Sequence, residues 1–471
     1  MNAYDLVVIG GGPAGWGGAN AAAAFGKRVA LVEREATIGG AGLNTGTLPS
    51  KALRESALLL SGWRARKLLG IDVTLDRKAT MSDLAYHAAQ VREALVGVTQ
   101  ARMRSLGVAV VRGAGSFADA HTVRVVDAEG RSTTLRADIV LIATGSRPAR
   151  PAGFPFDDPR VHESNQLLEI DTLPESLAVV GAGVIGAEYA GTFAALGVEV
   201  HLIDGRDTLL PFLDEDVSAA IAAGMQRNGV QVHWRERVSS CRADTTSGMR
   251  LTLASGREIC VTDVLIAAGR VSNTDDLDLA AAGLTAHRRG LIEVNEVYQT
   301  AVPHIYAAGD VVGPPALAGT SMEQARIAVC HAFDLLKKEL APLLPIGIYT
   351  IPEASMVGDT ETQVRKSGVP YVVGRASYAH NARGCLIGDD GGFLKLIFRR
   401  EDLRLLGVHV VGEQATEAIH IGLMAMLAGA HADVFNRVCF NYPTLGDLYK
   451  HATYHALLKR EGRILDETPK P

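Results

Sequence analysis

Cysteine is scarce in this 471-residue chain: Cys241, Cys260, Cys330, Cys385 and Cys439 are scattered, with no short repeated spacing. That argues against a disulfide framework and against a zinc site, so no metal is expected, and it fits a reducing cytoplasm. Long apolar runs are missing too. None reaches the ~18 residues that would suggest a membrane span. Met1–Asp5 has no basic segment before an apolar stretch, so a signal peptide is not expected. Basic blocks are absent and the net charge is −5, which argues against nucleic acid or an anionic membrane as the main partner. Glycine, by contrast, is plentiful at 50 residues, much of it clustered after apolar runs. Such clusters point to ligand loops. At roughly 100–200 residues per domain, the length predicts two to four domains.

The apolar run Leu6–Ile9 leads into Gly10-Gly11-Gly12-Pro13-Ala14-Gly15, then an alanine-rich stretch and a second apolar run ending at Glu33. This reads as strand, glycine turn, helix, strand. The same pattern returns with Leu177–Val180, Gly181-Ala182-Gly183-Val184-Ile185-Gly186, Ala187–Leu196, Glu199–Ile203 and Asp204. Two copies so far apart suggest two dinucleotide-binding units. A breaker-rich segment with Pro148, Pro151, Gly153 and Pro155 separates them. After Leu340–Pro345 the pattern changes to alternating strands such as Phe393–Phe398 and a helix near Ala415–Leu427. That predicts a separate C-terminal α+β domain.

Gly10, Gly12 and Gly15 match G-x-G-x-x-G. A diphosphate needs a tight turn and close backbone approach, and it sits on the N–H groups that start the next helix. Glu33 stands where a carboxylate would accept from ribose hydroxyls. In the second copy, Gly181, Gly183 and Gly186 repeat the turn and Asp204 takes the acidic place. A carboxylate there favours the free 2′-hydroxyl of NAD and repels a 2′-phosphate. Arg206, two positions on, offers a partner for that phosphate, so NADP stays open.

Further segments resemble the pyridine nucleotide–disulfide oxidoreductase family. They are Gly39-Gly40-Ala41-Gly42-Leu43-Asn44-Thr45-Gly46-Thr47-Leu48-Pro49-Ser50-Lys51, Ala143-Thr144-Gly145-Ser146-Arg147-Pro148, Gly269-Arg270 with Asn273, Thr300 through Tyr306-Ala307-Ala308-Gly309-Asp310, and Tyr349-Thr350-Ile351-Pro352-Glu353 with Val357-Gly358. They follow the family's order over nearly the whole chain. The resemblance implies an α/β fold with two Rossmann-like domains and a C-terminal α+β dimerisation domain. Its parts would be an FAD-binding domain at 1–150, an NAD(P)-binding domain at 151–268, a central domain completing the FAD site at 269–345, and a dimerisation domain at 346–471. It implies that Asp310 contacts the FAD ribityl chain and that Lys51 lies beside flavin N5, paired with Glu188. Gly40, Gly42, Thr47, Gly115, Thr144, Gly145, Ser146 and Ala318 join the implied FAD site; Val184, Ile185, Gly269 and Arg270 join the nucleotide sites.

The sequence departs from the family where thiols act. Disulfide-reducing members carry C-x-x-x-x-C; here the two positions are Gly42 and Thr47, and neither forms a thiolate. Near the C-terminus, Tyr442 replaces a histidine and Asp447 a glutamate. A tyrosine is a poor base at neutral pH. These joint losses resemble the family's soluble pyridine nucleotide transhydrogenase branch, with Gly-Thr-Leu-Pro-Ser-Lys and Asn-Tyr-Pro-Thr. Gly42 departs from that branch, whose members often keep one cysteine there. Asp204 does too, because an acid disfavours NADP. The expected activity is FAD-dependent hydride transfer between nicotinamide nucleotides, NAD(H) and NADP(H), by a cytoplasmic homodimer. Two alternatives remain: an NADH-dependent reductase or diaphorase acting on a quinone, oxygen or another small acceptor, and a flavin redox sensor of low turnover.

Overall fold

The computed structural model describes residues 2–62, 80–244, 248–336 and 339–463. The run Leu6–Ile9 is the buried half of strand β1 (Asn2–Ile9), each side chain at 3% exposure or less. Both faces of β1 are covered, so its apolar pattern is continuous instead of alternating. β1 lies parallel between β2 (Val29–Glu33) and the strand Ser132–Ile142. Across the sheet the order is Ala109–Arg112, β2, β1, Ser132–Ile142, Thr122–Val126, Ala114–Asp119. Ile305–Ala307 also pairs in parallel with Ser132–Ile142, through Val140, Leu141 and Ile142. A strand from late in the chain therefore completes the sheet begun at the N-terminus.

Helix α1 (Pro13–Ala24) starts with proline at a position whose N–H would have no helical partner. Its glycines let neighbours approach closely. A Cβ on Gly17 would lie 3.3 Å from Met322 Cα, and one on Gly18 would lie 2.6 Å from Leu141 Cδ2. α1 is thus wedged between the sheet and the helix Ala318–Ala332.

The second glycine pattern begins a second parallel sheet, ordered Gln231–Trp234, Glu199–Asp204, Ser176–Val180, Asp263–Ile266, Val161–Glu163. The helix Val184–Ala195 is buried along Gly186 to Ala194, which suits its small, apolar sequence. A short antiparallel ribbon, Ser146–Pro148 with Arg270–Ser272, connects the two units.

The C-terminal part is an antiparallel sheet ordered Ile346–Ile348, Ala354–Gly358, Leu405–Val411, Phe393–Arg399, Tyr371–Ser377, with helices Ala415–Leu427 and Leu448–Arg460 packed on it. The fold is therefore the expected α/β class with an α+β C-terminal domain. The strand Phe393–Arg399 differs from the alternating pattern expected of it: Phe393 through Phe398 are all buried. Lys395, on the face expected to be wet, is 1% exposed, with its ammonium 2.7 Å from both Asp214 and Glu361 and 3.0 Å from Asp216. Asp214 caps the helix Glu215–Arg227 of the second unit, so that unit covers the face and supplies two of the lysine's three counter-charges, Asp214 and Asp216, while Glu361 comes from the C-terminal domain itself. Among the described residues no helix is long and apolar enough to cross a membrane.

Candidate active site

The three glycines of the first turn have separate tasks. Gly10 has φ +102°, and a Cβ there would overlap the Ala143 carbonyl. A Cβ on Gly15 would overlap the Gly10 carbonyl. These two close the turn against the protein itself. Gly12 is different: its Cβ would meet nothing nearer than Gly40 Cα at 3.8 Å. Its missing side chain leaves room for a ligand. Glu33 braces the turn, accepting from Gly11 N–H at 2.8 Å and from Glu35 N–H at 2.9 Å.

A cavity of about 790 Å³ opens from this turn. Gly10, Gly12, Glu33, Gly40, Gly42, Thr47 and Lys51 line one part. Gly115, Thr144, Gly145, Ser146, Arg270, Asp310 and Ala318 line another, and Val184, Ile185 and Glu188 enter from the second unit. Gly15, Gly181, Gly183, Gly186, Asp204, Arg206 and Gly269 lie outside it. Thr144 Oγ1 is buried with no hydrogen-bond partner among the described residues. An orphaned polar atom beside an open glycine turn fits a polar, extended ligand, as FAD is.

Ser146 fastens the middle of the cavity. Its hydroxyl donates to Asp310 at 2.6 Å and accepts from Arg270 Nε at 2.7 Å, while Arg270 Nη2 donates to the Ser146 carbonyl at 2.7 Å. Asp310 is thereby held at the end of Ile305–Ala307, facing the cavity.

Lys51 sits in the first turn of helix α2 (Thr47–Leu60), and Glu188 on Val184–Ala195. Residues 137 positions apart meet here: Lys51 Nζ lies 2.5 Å from Glu188 Oε2. The other Glu188 oxygen accepts from Tyr349 N–H at 2.9 Å. Lys51 Nζ also stands 4.9 Å from the centre of the Tyr349 ring. Glu188 has 10% of its side chain exposed and Lys51 24%, so the pair is shielded yet open to the cavity. The sequence reading had no role for Tyr349. It also missed Arg54, one helical turn beyond Lys51, which forms a buried pair with Glu353 at 3.2 Å and donates to the Thr350 carbonyl at 3.3 Å. The signal was present in a second cation three positions after Lys51 and in the run Tyr349–Glu353.

The two positions where thiols would act both face the cavity, as Gly42 and Thr47. Ala41–Thr45 forms a π-helical turn, and a Cβ on Gly42 would lie 2.5 Å from Pro13 Cγ. Any side chain at Gly42 would therefore press on the diphosphate turn. None of the five cysteines forms a disulfide, and none lines the cavity. The protein should accordingly fail to reduce glutathione disulfide or lipoamide. Its two-electron reduced form should lack the long-wavelength absorbance of a thiolate–flavin charge-transfer pair. A spectrum with that band would place a cysteine against the flavin and refute the assignment of Gly42 and Thr47 to the thiol positions. Tyr442 lies away from the cavity and is 78% exposed. Asp447 pairs with His451 at 3.0 Å.

The second turn repeats the division of tasks. Gly181 has φ +105°, and its Cβ would lie 2.6 Å from the Ala267 carbonyl oxygen. Gly186 would overlap Gly181, while Gly183 has open space. Asp204 is not the free acceptor that the sequence suggested. Its Oδ2 accepts from Ala182 N–H at 2.6 Å and Arg206 Nη2 at 2.7 Å; its Oδ1 accepts from Arg206 N–H at 2.9 Å and Nε at 2.8 Å. Burial opposes the charge, but these hydrogen bonds outweigh it and hold the carboxyl at about 2.

Comparison with known proteins agrees with this geometry. Residues 4–332 match the model of the pyridine nucleotide-disulphide oxidoreductase family, and residues 344–453 match that family's dimerisation domain. The chain belongs to the pyridine nucleotide-disulphide oxidoreductase family. It is an FAD-dependent oxidoreductase that uses nicotinamide nucleotides. It is 45% identical over 460 residues to a soluble pyridine nucleotide transhydrogenase of Mycobacterium bovis, covering 98% of each chain. It is 41% identical over 461 residues to the protein of that name in Yersinia pestis, covering 96% of this chain and 98% of the other. Among solved structures, LpdA from Mycobacterium tuberculosis superposes with a TM-score of 0.88 at 28% identity, covering 96% of this chain and 99% of the other. The HOCl-induced flavoprotein disulfide reductase RclA from Escherichia coli gives 0.86 at 26% identity, covering 95% and 99%.

Proposed function

We propose that the chain moves hydride between NADPH and NAD⁺ through its FAD, in two half-reactions that share one nicotinamide site. One observation carries this reading: the Lys51–Glu188 pair faces the cavity, while the positions for a thiol relay face it as Gly42 and Thr47. When bound, FAD supplies reversible two-electron acceptance. Lys51 sets a positive charge where electron density rises as hydride arrives. Glu188, itself fixed by Tyr349 N–H, orients that charge. Gly12, Glu33, Thr144 and Asp310 would hold FAD; Gly183, Asp204 and Arg206 would hold the nicotinamide nucleotide. With no thiol to pass electrons onward, the second acceptor would be another nucleotide at the same nicotinamide site. The domain limits at residues 150, 268 and 345 follow the connections between these sheets. Dimerisation through 346–471 is supported by the match to the family's dimerisation domain, and a cytoplasmic location by five cysteines that form no disulfide.

Steady-state assays with NADPH and a chromogenic NAD⁺ analogue, free of other acceptors, test the reading. Parallel double-reciprocal lines are expected, since the first product leaves before the second substrate binds. Absence of transfer, with brisk reduction of a quinone by NADH, would favour the second reading, an NADH-dependent reductase. The cavity space beside Gly42 is what supports that alternative.

A further inference from the structure

The acids that end the two corresponding strands are not equivalent. A carboxylate offers about four lone-pair sites. At Glu33 only two N–H groups occupy them, one on each oxygen. Glu33 therefore keeps capacity for ribose hydroxyls. At Asp204 four donors fill the carboxylate, three of them from Arg206. A 2′-hydroxyl gains an acceptor here only when the Arg206 guanidinium swings away. The guanidinium is then free beside the ribose. With its side chain 45% exposed, releasing the bidentate contact loses little burial.

A second arginine stands over the same turn. Arg237 Nε lies 3.1 Å from the place a Cβ on Gly205 would take, and Gly205 joins Asp204 to Arg206. Arg235, the nearest rival, is already engaged: its N–H donates to the Arg206 carbonyl at 2.9 Å and its guanidinium pairs with Asp207 at 3.0 Å. Glu236 is turned to Ser255 N–H at 3.3 Å. The Arg237 carbonyl takes Ala254 N–H at 2.8 Å, so its backbone is pinned. The residue is exposed, and its guanidinium has no carboxylate partner among the described residues.

We propose that Arg237, together with Arg206 once it leaves Asp204, forms a seat for the 2′-phosphate of NADP(H). The same site then holds NAD(H) through the exposed Asp204 oxygens and NADP(H) through two arginines. Asp204 thus no longer opposes NADPH as a bare carboxylate would, because Arg206 neutralises it in one state and the phosphate's two cations outweigh it in the other. The proposal rests on the transhydrogenase reading for its need of both nucleotides, but it concerns binding alone.

The test titrates FAD-loaded protein calorimetrically with 2′,5′-ADP, which carries the 2′-phosphate, and with 5′-AMP, which lacks it. Arg237→Gln should weaken 2′,5′-ADP by about tenfold and leave 5′-AMP within about twofold. Arg237→Lys should recover part of the loss. The side chain is exposed and forms no ion pair among the described residues, so the variant should fold. Equal weakening of both probes, no change in either, or wild-type protein that binds 5′-AMP but not 2′,5′-ADP would overturn the proposal. Neither probe has a nicotinamide. If Arg237→Gln separates the probes while NADPH-to-NAD⁺ transfer fails, only the transhydrogenase reading falls.

Discussion

Lys51→Met should keep FAD bound and slow flavin reduction by NADH by roughly 30- to 1,000-fold, equivalent to ~2–4 kcal/mol in the transition state. The reason is differential. Negative charge near the ammonium is greater once hydride has arrived than before, so removing the cation raises the barrier more than it weakens ground-state binding. The flavin's reduction potential should fall as well. Lys51 is only partly shielded, which keeps the effect below that of a fully buried charge. Glu188→Gln should act in the same direction but less, since Lys51 stays in place and loses only the partner that aims it. The competing role, a helix start held to a neighbouring helix, would make both variants lose stability while reducing at normal rates. Rapid mixing separates the two: near-normal reduction in both FAD-loaded variants would rule out the catalytic role.

Gly12→Val should yield folded, colourless protein. The protein itself leaves room at this position, with nothing nearer a Cβ than 3.8 Å. The added side chain would instead meet the bound diphosphate, which needs the backbone's close approach. Gly10→Ala is the informative contrast. Its Cβ would overlap the Ala143 carbonyl in a backbone conformation that side chains rarely adopt, so it should damage the fold along with the flavin. Circular dichroism with flavin absorbance distinguishes the cases. A Gly12→Val protein with full flavin content would show that the ligand does not cross this turn.

What was legible in the sequence was local. Strand, glycine turn, helix and acid lie within a few tens of residues, and both copies form as read. Lys51 and Glu188 stand 137 positions apart; no spacing joins them, and only the family resemblance did. The Arg54–Glu353 pair lies between two units; each residue stands in or beside a motif, but no spacing joins the two. Asp204 stands after the second turn, where the sequence places an acid. Three of its four bonds come from Arg206 folding back, which residue type alone does not decide. Lys395 was hidden for a related reason: strand alternation assumes a wet face, and here the second unit covers it with Asp214 and Asp216.

The central claim is that hydride from one nicotinamide nucleotide reaches another through this cavity. Anaerobic rapid mixing, with flavin absorbance followed through both half-reactions, tests it most directly. NADPH should bleach the oxidised protein, and NAD⁺ should restore the colour, each at least as fast as steady-state turnover. Bleaching by NADH but not by NADPH, or reduced protein that NAD⁺ leaves bleached while a quinone restores its colour, would contradict it.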